Sequence, residues 1–347
     1  MPKDNENILF FPDEPLLPSE PPGFAPEAMV RCEECLRANP PTRTDCLYCA
    51  AALPFDEKLA DLRKPSLRPV EDSVQGHNTI LLPRPANDLS EEALRSAARL
   101  LKLELADLKR ILDTAAPLPL ARTSAAEDAR LIATRLKEMG ITTIVLSDQE
   151  LALRETPPVQ IRGLACHENG LTPRLSVGAD LMEIAWREFD LIVTGRLLTK
   201  QVQSRERKGR RGENEIVDAT ELFADDAIMD LYRKDQIENL RIVANSFNFS
   251  CLEKKSLLAA ENFRLLLSFI RQRATDAEFD DSYNSCRQAL ELVWPPDQQT
   301  GSRGWRRERP GKISVEAVTE SNNEVQFNRY SRMRYLMKSG LNPTPSR

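Results

Sequence analysis

Apolar positions along the chain fall into two regular stretches separated by a proline break. The first begins near residue 76. Asn78-Thr79-Ile80-Leu81-Leu82 reads as a short strand ended by Pro83. Asp88 or Ser90 then opens a helix with Leu94, Ala97, Ala98 and Leu101 on one face, and a second helix carries Leu105, Leu108, Ile111 and Leu112. Pro117-Leu118-Pro119-Leu120 predicts an extended piece. Ser124 and Glu127 have capping-box spacing before a helix with Ala129, Ile132, Ala133 and Leu136 inward; Gly140 stops it, and Ile141 to Leu146 reads as a buried strand. The order is β-α-α-β-α-β, an α+β sandwich with helices on one face of a small sheet.

The second stretch follows Pro157-Pro158. Strand-like runs occur at VQIRGLAC, LTPRLSV, MEIAW and FDLIVTGRLL, with alternation at Phe189, Leu191 and Val193 and a turn at Glu168-Asn169-Gly170. Further strands are expected at AIMDLYR and RIVANSFNF. A helix from Ser256 to Arg273 places Phe263, Leu266, Leu267 and Ile270 on one face. This pattern predicts a curved antiparallel sheet capped by one C-terminal helix.

Composition supplies the connections. The chain has 347 residues, 41% of them apolar, enough for more than one core; its 24 prolines cluster in the first 85 residues and near the C-terminus, which predicts stiff extended linkers. The expected organisation is a Pro-rich flexible segment 1–28, a small module 29–53, a linker 54–75, an α+β domain 76–150, a β-rich domain 155–275 and a basic-aromatic arm 276–347 with a flexible end. No run approaches the length of a membrane span, and the N-terminal apolar run is too short for a signal-peptide core. The expected compartment is the cytoplasm, where the seven cysteines stay reduced.

Four of those cysteines carry the clearest chemistry. Arg31 to Ala50 reads RCEECLRANPPTRTDCLYCA, two CxxC pairs formed by Cys32, Cys35, Cys46 and Cys49. Two such turns facing each other supply four thiolates to one tetrahedral Zn²⁺, a closed structural site with no position left for substrate. So short a segment cannot build an apolar core, so the metal must hold it folded. The spacing, with Asn39 between the pairs, resembles the Ran-binding-protein-2 type zinc finger. Val30 stands where that family has a Trp, and Leu36-Arg37 where its ubiquitin-binding members have Thr-Phe. The resemblance implies a protein or RNA recognition module.

Two broader resemblances follow. TILL, the helix pair ending near Asp113, LPLAR and EDARLIATRLKEMGITTIVL are similar in order to the ribosomal stalk protein C-terminal domain and the ClpS adaptor, which implies a small docking domain. The run of strands from 155 to 275 resembles a PH-like barrel, which implies binding or scaffolding.

Catalytic motifs are not found. His77 and His167 lack suggestive surroundings, and Cys166-His167, adjacent on a strand, would point to opposite faces. Asp225, Asp226 and Asp230, and likewise Asp280-Asp281, read as solvated turns. Lys200 to Arg211 reads as an exposed basic hairpin loop. Arg303, Trp305, Arg306, Arg307, Arg309 and Lys312 set an aromatic among five cations, candidate nucleic-acid contacts. Phe327, Tyr330 and Tyr335, interleaved with Arg329, Arg332 and Arg334, predict an arm packed back on the protein. The expectation is therefore a multi-domain α+β, non-enzymatic zinc protein that recognises an unknown protein partner; the sequence identifies no small-molecule substrate. The alternative is an RNA-binding or ribosome-associated protein using the finger and the arm.

Overall fold

The computed structural model describes residues 29–43, 46–49, 51, 53–54, 67, 75–83, 89–114, 116–151, 154–175, 182–208, 214–309 and 312–340, without the side chains of 204–219 and 302–317. The 1–28 segment, nearly all of the 54–75 linker and the chain end after Gly340 lie outside the described residues. The chain forms two compact units, Met1–Lys64 and Pro65–Arg347. In the first, strands β1 (Val30–Arg31) and β2 (Ala38–Asn39) pair antiparallel.

The second unit begins with three strands and three helices in the order β-α-α-β-α-β. β3 (His77–Leu81) pairs antiparallel on one side with β4 (Leu118–Thr123) and on the other with β5 (Thr143–Ser147). Helices α1 (Glu91–Leu101), α2 (Leu105–Leu112) and α3 (Ala126–Glu138) bury Ala97, Ala98, Leu101, Leu108, Ile111, Ile132 and Leu136 in one core with this sheet. Ser90 Oγ accepts the Ala93 N–H at 3.2 Å and caps α1, and Gly140 leaves α3 at φ 86°. The Ser124–Glu127 capping box does not form. α3 starts behind Ala125, which has no side-chain acceptor to offer.

The larger sheet is built on two twenty-residue strands, β10 (Phe189–Lys208) and β11 (Asn214–Arg233), joined as an antiparallel ladder. β12 (Gln236–Val243) extends it beside the second half of β11, and the short β6 (Val159–Gln160) runs parallel to β12. β7 (Gly163–Cys166), β8 (Gly170–Arg174) and β9 (Ile184–Ala185) form a separate three-stranded sheet. β13 (Glu278–Asp280) lies parallel to β10, while β14 (Asp297–Arg309) and β15 (Lys312–Asn322) form a hairpin whose β15 pairs with β10. Helices α4 (Ala259–Arg273), α5 (Tyr283–Leu290) and α6 (Glu324–Lys338) complete the unit. α4 starts three residues later than the sequence pattern predicts.

Near the core this sheet is covered on both faces. Leu191, Val193, Ile228 and Tyr232 join the core of the β3–β5 module together with α5 and α6, whereas Ile192, Met229, Leu231, Leu240 and Ile242 pack in a second core under α4 and the β7–β9 sheet. The expected Phe189–Leu191–Val193 alternation therefore fails. A register shift between Phe189 and Leu191 sends Phe189 into the second core, and both faces of the strand are apolar.

Three readings of charged segments are corrected by this packing. Residues 200–208 are strand rather than loop, with Lys200 opposite Phe223 and Lys208 opposite Asn214. Asp225 and Asp226 lie on β11, and Asp230 is buried there, held by Arg241 through two bonds of 2.8 Å. Asp280 is buried too, accepting from the Tyr330 hydroxyl at 3.0 Å and paired with Arg334. These acids are not solvated turns; the arginine partners of the two buried ones, Asp230 and Asp280, lie 11 and 54 residues away in sequence.

α6 explains the aromatic content of the C-terminal region. Phe327, Tyr330, Met333 and Tyr335 are core residues, and Tyr335 stacks on Tyr232 with centroids 4.6 Å apart. Three of its buried polar residues reach partners in other elements: Arg332 reaches the Thr156 carbonyl at 2.8 Å, Ser331 donates to Asp230 at 2.7 Å, and Gln326 to the Trp294 carbonyl at 2.7 Å. The helix is buried nearly all round.

Candidate metal centre

The first unit places its four cysteines by two knuckle turns. The β1–β2 ladder pairs Val30 with Asn39, bringing the start and end of the first turn together. The Cys32 N–H donates to the Arg37 carbonyl at 3.0 Å and the Leu36 N–H to the Cys32 carbonyl at 3.0 Å, with Leu36 in the left-handed region at φ 59°. In the second turn the Cys46 N–H donates to the Ala51 carbonyl at 2.8 Å and the Tyr48 N–H to Cys46 Sγ at 3.4 Å.

Cys32 and Cys49 Sγ lie 3.6 Å apart and Cys35 and Cys46 Sγ 3.5 Å, and all four sulfurs fall within 4.8 Å of one another. Zn–S bonds of about 2.3 Å in a tetrahedron put sulfurs about 3.8 Å apart. The set therefore fits one zinc ion, and the separations are far beyond the roughly 2.05 Å of a disulfide. Among the described residues of this unit, Cys32, Cys46 and Leu53 make up the buried apolar cluster, too little to hold the turns folded without the metal.

Asn39 joins the two turns. It is fully buried; its Nδ2 donates to the Arg37 carbonyl at 2.9 Å and to Cys46 Sγ at 3.4 Å, and its Oδ1 accepts the Leu47 N–H at 2.8 Å. Burial alone would push the Cys46 thiol up, but the N–H groups of Tyr48 and Cys49 and the Asn39 amide outweigh it and bring it to about 6. Cys46 is thus the sulfur readiest to bind a cation as thiolate. Sequence spacing marks Asn39 but does not show this bridging role.

The finger also exposes apolar groups that sequence reasoning passed over. Leu36 is 65% exposed, Leu47 54% and Tyr48 56%, and the Arg37 guanidinium lies 4.7 Å from the Tyr48 ring centre. The available signal was size: a module of this length has no core in which to bury them.

The basic-aromatic set is gathered on one strand pair. Arg303, Trp305, Arg306, Arg307 and Arg309 lie on β14, and Lys312 opens β15 opposite Arg309; their side chains are outside the described residues. His167 Nε2 lies 3.1 Å from Thr172 Oγ1, and burial pushes the His77 imidazole down. Among the described residues the four cysteines are the one group that could hold a metal ion, and no helix is long and apolar enough to cross a membrane. No family model matches the chain, and neither does any curated protein or solved structure.

Proposed function

We propose that this is a non-enzymatic zinc protein of the cytoplasm whose Ran-binding-protein-2 type finger recognises another protein, the second unit serving as an adaptor scaffold. The observation that carries the reading is the exposure of Leu36, Leu47 and Tyr48 beside a four-sulfur site. Four thiolates saturate a tetrahedral ion, so the metal has no position for a substrate and acts structurally. Exposed apolar side chains on a metal-stapled turn, with an Arg against the aromatic, form a small anchor of the kind that carries binding energy at interfaces. Replacing Leu36 and Tyr48 by Asp should leave zinc content intact and remove the partner from an affinity capture with the full chain. Identical captured proteins for wild type and variant would overturn the reading.

A second reading, RNA binding, is favoured by one observation: four arginines and Trp305 share the single strand β14. It predicts single-stranded RNA binding that weakens steeply with salt and falls on replacing Arg306 and Arg307 by Ala. Salt-independent binding, or none, rejects it.

A further inference from the structure

Three of the seven cysteines lie outside the finger, and two of these meet. The Asn248 N–H donates to the Arg162 carbonyl at 2.7 Å, and Gly163 and Asn248 form a parallel bridge. From that bridge the chain runs on three residues along β7 to Cys166, and three residues through the 3-10 turn Phe249–Cys251 to Cys251. Both cysteines pack against the second core, which takes Leu164 from β7 and Phe249 from the turn. Both are free thiols, partly exposed to solvent. Their side chains interact directly, Cys251 donating to the Cys166 sulfur.

The two sulfurs are not equivalent. The bond from Cys251, aided by the Arg273 guanidinium, outweighs burial and lowers the Cys166 thiol. The same bond and burial push the Cys251 thiol up and keep its proton on. Arg273 is held at the end of α4 with its guanidinium over the Phe269 ring, 4.1 Å from the centre. Cys286 gives the contrast. It is buried, with the Ser285 hydroxyl at 3.9 Å as its neighbour, and burial pushes its thiol up. A solvent-accessible thiol that ionises readily, with a cation and a second thiol beside it, is the arrangement in which one cysteine is oxidised and the other resolves it.

From this we infer that Cys166 and Cys251 are a reversible oxidation site whose co-substrate is a hydroperoxide, Cys166 reacting first and Cys251 resolving it. The ionised Cys166 sulfur attacks one peroxide oxygen, and an S–O bond forms as the O–O bond breaks. The hydroxide released takes up the proton that Cys166 gave up and leaves as water, so Cys166 becomes a sulfenic acid. The Cys251 sulfur then attacks the Cys166 sulfur, and the S–S bond forms as the S–O bond breaks. The hydroxyl leaves with the Cys251 proton as a second water. Two thiols are oxidised to one disulfide, and one peroxide is reduced to two waters. The bond ties β7 to the segment that follows β12, and a dithiol reductant reverses it. Transient bonds of this kind are the usual form of disulfide where thiols are otherwise kept reduced.

Peptide mapping of the full chain tests this. Wild type is treated with hydrogen peroxide at a dose that leaves Cys286 unmodified, blocked with iodoacetamide and digested with trypsin without reductant. The peptides Gly163–Arg174 and Ile242–Lys254, which carry the two cysteines, should be found joined and two hydrogens lighter than their sum. Dithiothreitol should separate them. In Cys251→Ser, dimedone should label Cys166 as the sulfenic acid; in Cys166→Ser, Cys251 should remain a thiol open to iodoacetamide. Because the joined peptides are read on wild type, that result holds even where a variant folds poorly. Separate alkylated peptides from treated wild type would overturn the inference, as would a link from either cysteine to Cys286 or to the finger in its place. So would a folded Cys251→Ser whose Cys166 takes no dimedone, or dimedone on Cys251 in Cys166→Ser.

Discussion

The side-chain amide of Asn39 donates to Cys46 Sγ at 3.4 Å while its carbonyl accepts the Leu47 N–H at 2.8 Å. One buried residue from the first cysteine turn thereby fixes the orientation of the second. Groups that orient a metal ligand typically account for 10- to 100-fold in affinity. Asn39→Ala should weaken zinc binding by about that factor in a chelator competition, with the four cysteines unchanged. Unaltered affinity would show that the turns hold their geometry without it.

Acid should release the metal, because protons compete with it for thiolates. Zinc loss followed with a chromogenic chelator should rise as pH falls below neutrality, and Asn39→Ala should shift the curve to higher pH, since that amide helps hold Cys46 down near 6. An unshifted curve would contradict the assigned role.

The Asp230–Arg241 pair lies almost wholly buried between the large sheet and α6. Removing one partner leaves the other charge without compensation, so Asp230→Ala should cost about 3–5 kcal/mol of unfolding free energy in denaturant titration. The double variant Asp230→Leu, Arg241→Met should cost less than the sum of the single changes. Strict additivity would mean the pair is not coupled.

Asp148 links Arg122, Asn78 and the Gly76 N–H at the end of the small sheet. Burial would raise its carboxyl, but the Arg122 guanidinium, with Asn78 and Gly76, outweighs burial and lowers it. A depressed carboxylate contributes stability above its unfolded value of about 3.9 and loses it as pH falls through the folded one. Asp148→Asn should therefore lower Tm at pH 6 to 7, with the gap to wild type closing below about pH 4. A gap that persists at acid pH would show that shape rather than charge is responsible.

Local physics made part of the molecule legible in the sequence. The helices over 91–138 carry apolar residues at helical spacing, Ser90 and Gly140 act within a turn of their own positions, and two CxxC turns need no distant partner to meet. The long sheet was less legible because its information is not local. Lys200 to Lys208 has the composition of a loop and becomes strand only by pairing with β11 and β15. Asp230 and Asp280 look solvated until Arg241 and Arg334 are brought to them. α6 has no polar stripe to reveal it, since Arg329, Ser331 and Arg332 are buried alongside Tyr330 and Met333. In the candidate site the ligands could be read directly, whereas the bridging by Asn39 and the exposure of Leu36 and Tyr48 required the geometry of the turns.

The central claim, that four cysteines hold one structural zinc ion, is tested most directly by metal content in the purified full chain. Elemental analysis should give one zinc per chain for wild type and none for Cys32→Ser, while the unfolding transition of Pro65–Arg347, a separate compact unit, should stay in place. Absence of zinc from wild type protein, or full retention in Cys32→Ser, would contradict the account.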